Sequence, residues 1–205
     1  MPMYFFHWTE SIADHLDQHG ISVDEFEMIV QNPDGNGNSR KTGRPFAVGQ
    51  LDDGRTILCV FEFLDSITIV PVTAYEIDRK RKLIMPKKVQ PAAHRIIKKD
   101  TPASIAKHKK AVADSDREKD ELIEHARKLM APVIAYRKKL AAIAKDLRIE
   151  RERQGLSLAD IEGRTGMDRV SIHRLEVGKS VNPTIGTLDR YAVSLGLDLQ
   201  LTLKR

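Results

Sequence analysis

Between Gly155 and Gly196 the chain reads GLSLADIEGRTGMDRVSIHRLEVGKSVNPTIGTLDRYAVSLG. Four residues in this stretch, Arg169, Val170, Ser171 and Arg174, have the types and spacing to read the edge of a base pair, with His173 flanking them. An arginine can donate two hydrogen bonds to guanine O6 and N7, and a valine can rest against a thymine methyl. Lys179 and the Arg148, Arg151 and Arg153 cluster suit phosphate oxygens, as does Ser157 at a helix start. Phosphate contacts position a protein on a duplex without reading its sequence.

Those side chains need two short helices held at a fixed angle. Ser157 is a good N-cap for LADIEGRT and Gly166 ends that helix; Asp168 caps RVSIHRLEV, which closes at Gly178. Two helices of this length around one tight turn make a helix-turn-helix, whose second helix enters the major groove. Ile161, Met167, Ile172 and Leu175 supply its core, and Gly163 is expected where the helices cross. Residues 138–196, with RIERERQG before this pair and a further helix capped by Thr184, resemble the Cro/repressor-like (Xre-family) helix-turn-helix domain. The matching places are Leu156, Ser157, Asp168-Arg169 and Glu176-Val177-Gly178-Lys179; Leu158 stands where the family often has a polar residue on the phosphate backbone. The resemblance implies sequence-specific binding of double-stranded operator DNA. After the domain, Leu197, Leu199, Leu201 and Leu203 alternate with polar residues, which predicts a terminal strand. Such a strand must pair with a symmetric partner or with the domain's own first segment, as in antitoxin members of the family.

Charge divides the 205-residue chain. Residues 1–84 hold eight Lys/Arg and thirteen Asp/Glu, for −5, whereas 85–205 hold twenty-six and sixteen, for +10. A basic half is the footprint expected of a phosphate-bearing partner. No apolar run is long enough to span a membrane, and MPMYFFHWTE lacks the pattern of a secretory leader. The single cysteine, Cys59, lies in ILCVFEF and excludes a disulfide framework or a cysteine metal cluster. A cytoplasmic, nucleoid-associated protein without cofactor or metal is expected.

The acidic half is predicted to be an α+β domain over 1–82. It comprises a strand (MYFFHW), two helices capped by Thr9 and by the Ser22/Glu25 box, and a three-stranded antiparallel meander through RPFAVGQL, RTILCVFEF and SITIVPVTAYEI. NPDGNGNSRKTG reads as a polar, mobile loop. Residues 83–114 read as a basic flexible connector and 115–137 as a helical arm starting at a Ser115/Glu118 capping box; 138–205 are the all-α domain with its terminal strand. Leu122, Ala126, Leu129, Val133, Tyr136, Leu140, Ile143 and Leu147 step at helical spacing, with Pro132 expected to kink or split the helix. That stripe packs on its own domain or forms a homodimer or docking seam.

Trp8, His19-Gly20, Asn32-Pro33, Gly43-Arg44-Pro45-Phe46, Asp53-Gly54-Arg55 and Val72-Thr73-Ala74-Tyr75 together resemble the BrnT-like toxin domains, relatives of the RelE-like ribonucleases. The resemblance implies metal-independent RNA cleavage, with His19, Arg44 and Arg55 as base and phosphorane-holding cations and Tyr75 as an acid. Two features oppose activity: residues 1–78 carry four basic against thirteen acidic side chains, and Tyr75 stands where that family usually has arginine. His19 also suits a helix C-terminus. An antitoxin-like protein would begin naturally at Met85, so the whole resembles a fused toxin–antitoxin pair, with the toxin-like domain docked in cis or in trans. Three functions stay open: a DNA-binding autorepressor with a neutralised toxin-like domain, an endoribonuclease silenced by its own C-terminal half, and a DNA-binding regulator whose acidic domain only binds protein.

Overall fold

The computed structural model describes residues 3–77, 92–178 and 183–200. It divides into two compact units, Met1–Pro132 and Val133–Arg205.

The first unit begins with β1 (Phe5–Trp8), where alternation buries Phe6 and Trp8. Thr9 then caps α1 (Glu10–Gln18) by accepting from the Ile12 amide, and Ile12 and Leu16 form its buried stripe. Gly20, at φ 71°, turns the chain. The Ser22/Glu25 capping box opens α2 (Val23–Gln31) as expected. Next come β2 (Gly35–Asn38), β3 (Pro45–Gln50), β4 (Thr56–Phe63) and β5 (Thr68–Glu76). Gly54, at φ 87°, closes the β3–β4 turn.

Ala47, Ile57, Cys59 and Phe61 of the sheet pack with Phe6, Trp8, Phe26 and the α1 and α2 stripes in one core. Each isoleucine or phenylalanine among them contributes about 1.5–3 kcal/mol when fully buried. The alternate residues Phe46, Val48, Leu58 and Val60 are also buried, outside that core and hence on the other face. Phe46 meets His125 edge-on there, with ring centroids 5.2 Å apart.

Three expectations are corrected in this unit. The sheet has six strands in the order β2-β3-β4-β5-β1-β6, with β1 parallel to both neighbours. Residues 35–38 of the expected loop form an edge strand on β3. A Cβ on Gly37 would lie 2.8 Å from the Phe46 ring, and one on Gly35 3.3 Å from the Leu129 Cβ, so the glycines permit this approach. The expected connector over 83–114 contains β6 (Arg95–Ile97) and α3 (Pro102–Asp116). Beyond its ladder to β1, β6 is held by Glu27, a carboxylate 4% exposed. Trp8 Nε1 (2.7 Å), His94 (2.7 Å) and Arg95 (2.7 Å) all converge on it. A buried carboxylate requires such partners.

Helix α4 (Lys119–Arg153) runs unbroken through Pro132. Pro132 and Lys128 are exposed, so the carbonyl that proline leaves unbonded can take water. Ser115 lies inside α3, not at a cap, and is buried. The predicted stripe is consumed in two places. Leu122 and Ala126 are buried in the first unit, joined by Met130 from outside the stripe, and Leu140 and Leu147 enter the core of the second with Ala144, while Tyr136 between them is 43% exposed.

In the second unit, α5 (Leu158–Thr165), α6 (Arg169–Glu176) and α7 (Ile185–Ser194) join the end of α4. Ile161, Ile172, Leu175, Leu188, Tyr191 and Leu195 close the core with Leu140 and Leu147. Ser157, Asp168 and Thr184 are the N-caps and Gly166 is the left-handed C-cap, as the sequence predicts. Gly163 is exposed with no atom within 4 Å of a Cβ, so the helices do not cross there. Residues 197–200 of the expected terminal strand are irregular, with Leu199 folded against the core; its remainder and the Met85 seam lie outside the described residues.

Candidate nucleic-acid interface

Helix α6 turns Ile172 and Leu175 into the core, and its periodicity leaves Arg169, Val170, Ser171, His173 and Arg174 exposed. Val170 is 60% exposed at the first turn, where an apolar side chain gains nothing from water. The Arg169 Nε donates to Glu162 (2.8 Å) and must leave it to reach a base. The Ser171 hydroxyl donates to Asp168 (2.6 Å), which leaves its lone pairs for a base donor. That bond, with the Ser171 amide, holds the Asp168 carboxyl below its ordinary pKa.

The expected phosphate contacts divide. Arg148 and Arg153 are exposed, paired along α4 with Glu152 (2.8 Å) and Glu150 (2.6 Å), and surface pairs of this kind exchange easily. Ser157 spends its hydroxyl on the α5 capping box with Asp160 but remains exposed. Lys179 lies outside the described residues. Arg151 is corrected: it is 9% exposed and binds Glu176 through Nε (2.7 Å) and Nη2 (2.9 Å). It also reaches the Leu156 carbonyl (2.7 Å), while Tyr191 donates to the same Glu176. Arg151 and Glu176 are an internal brace between α4 and α6.

In the first unit the structure brings His19 and Tyr75 together, with ring centroids 5.8 Å apart. Arg55 is 7% exposed; its guanidinium serves Asp53 (2.7 Å), Glu25 and the Gly20 carbonyl (3.1 Å), clamping two turns. Arg44 pairs with Glu62 (2.9 Å) and with Asp114 (3.6 Å). His19 is the α1 C-cap residue, as its helix-end reading expects.

Sequence reasoning missed the groups that surround this pair. The His15 ring contacts His19 (4.8 Å) and His108 of α3 (5.5 Å) and bonds Thr73 Oγ1 (3.1 Å). The Tyr75 hydroxyl donates to Asp116 (2.9 Å), and Lys119 Nζ sits 4.8 Å over its ring. Burial, then His19 and His108, push the His15 pKa down to about 4. His19 is lowered by burial and Lys119, and His108 by burial. Burial and the bond to Asp116 raise Tyr75. The four-residue spacing of His15 and His19 on one helix was a legible signal; α3 was not. Among the described residues no group of His, Cys, Asp and Glu could hold a metal ion, and no helix is long and apolar enough to cross a membrane.

The arrangement α5-turn-α6, with its second helix exposed and braced from behind, defines a helix-turn-helix unit. Residues 142–203 match the helix-turn-helix domain family, which supports DNA binding by this part of the chain. No curated protein and no solved structure matches.

Proposed function

We propose that the chain is a transcriptional autorepressor of toxin–antitoxin type, with the C-terminal unit reading an operator and the N-terminal unit a neutralised toxin-like domain. The outward row of Arg169, Val170, Ser171 and Arg174 carries the reading, since these four share the exposed side of a helix whose other side is core. The protein acts as a homodimer on two half-sites a helical turn apart, the usual route to regulatory affinity from one such helix. Mobility shift on the DNA upstream of the protein's own gene tests it. Arg169→Ala and Arg174→Ala should each weaken operator binding by roughly 1–3 kcal/mol and random DNA far less. Equal losses on both would reject base reading.

A second reading has its own observation, the His15, His19 and Tyr75 cluster, which meets α3 through Asp116 as Arg44 meets it through Asp114. Here the N-terminal unit is an endoribonuclease silenced in cis. A histidine takes the 2′-hydroxyl proton, Arg44 holds charge on phosphorus, and Tyr75, kept protonated by its raised pKa, donates to the leaving oxygen. Arg55 drops out because its donors are spent on the two turns. Producing residues 1–100, which keep β6 and the partners of Glu27 but lack α3, should then arrest growth with cleaved RNA; a folded, harmless fragment would exclude it.

A further inference from the structure

Helix α3 carries two carboxylates onto the groups that a phosphodiester would use. Asp116 accepts from the Tyr75 hydroxyl at 2.9 Å and acts electrostatically on both His15 and His19. Lys119 closes the same place from above the Tyr75 ring. Two residues earlier, Asp114 takes Arg44, whose Nη1 is buried without a hydrogen-bond partner among the described residues. The Ser115 hydroxyl between these aspartates is buried and unpartnered as well. Unmet donors in a closed contact mark an imperfect fit, the condition under which a ligand with more acceptor oxygens can compete.

The rest of α3 gives it little independent hold. Its buried residues are Ala111 and Ser115, against five buried residues on the shorter α2. His108 adds one bond to the Val72 carbonyl (2.9 Å), and Lys107 reaches Glu62 only at 3.8 Å with its side chain 77% exposed. Asp116 itself is exposed, so a ligand can reach it from solvent.

We propose that Asp114 and Asp116 stand in for the phosphates of an RNA strand, occupying a site formed by Arg44, Tyr75, His15 and His19 and keeping it closed. The identity of the ligand rests on the ribonuclease reading above; the closure by carboxylates rests on the contacts. A ligand that competes with α3 gains affinity when α3 is weakened, by the fraction of open state released.

The experiment uses the full chain and a 2′-O-methyl RNA hexamer, which has the phosphates but no attacking hydroxyl. Asp114→Asn/Asp116→Asn should bind it about tenfold or more tighter than wild type by fluorescence anisotropy. Adding Tyr75→Phe should remove most of that gain. In the wild-type chain, which needs no variant to fold, saturating hexamer should speed hydrogen exchange of the α3 amides. Unchanged hexamer affinity in a folded double variant would overturn the proposal, as would α3 exchange that the hexamer leaves unaltered. Tight hexamer binding by the double variant without cleavage of unmodified RNA would support closure and overturn the ribonuclease reading.

Discussion

The two units place their chemistry in opposite ways. In the C-terminal unit the candidate residues face outward from one helix and pair only with near neighbours, while the brace behind them is buried. In the N-terminal unit the candidate residues are turned inward and are answered by partners distant in sequence, Arg55 by Glu25 30 positions away and Tyr75 by Asp116 41 positions away. A local motif announces its exposed face through spacing; a site assembled across a sheet does not.

That contrast is broken most severely at the brace. Glu176→Ala leaves Arg151 charged and buried without its carboxylate and should cost about 3–5 kcal/mol, read as a lower urea midpoint. Arg153→Ala, on the same helix but exposed, should stay within about 0.5 kcal/mol. If the two losses are equal, the brace is no brace.

Gly37→Ala tests the close approach in the first unit. Its Cβ meets the Phe46 ring, so a loss of about 1–3 kcal/mol is expected, visible as a lower Tm. No loss would mean that the ring moves freely.

Acid should separate the units. His7, His15, His19 and His108 all have folded pKa values below the ordinary 6.5, with burial the first cause, so protonation favours the unfolded chain. Their contribution is complete above pH 6.5 and is lost as pH falls toward the His15 value of about 4. In the second unit Asp160, Asp168 and Glu176 have lowered pKa values, so their contribution persists to lower pH. Trp8, the single tryptophan and fully buried in the first unit, should report unfolding at a higher pH than helical circular dichroism does. Coincident transitions would contradict this.

The smallest effect is a gain. Gly163→Ala, in an exposed helix interior with open space, should stabilise by about 0.5–1 kcal/mol in the same urea titration.

The sequence by itself determined the elements whose causes are local. Caps at Thr9, Ser22, Ser157, Asp168 and Thr184, the left-handed turn at Gly166, and the α5–α6 pair each depend on contacts within a few residues, and these were legible. Tertiary structure alone decided the rest. The glycines of β2 have no strand propensity, and they form a strand because β3 supplies a ladder and α4 needs room. The three residues of β6 are held by β1 and by a carboxylate 68 positions away. Helix α3 presents His, Ala and Ser to the sheet, so hydrophobic periodicity could not reveal it. Arg151 and Arg153 are the same residue type two places apart, yet a helix turns them some 200° from each other, one into a buried ion pair and one into water. Only the position of Glu176 on another helix determines which of the two is buried.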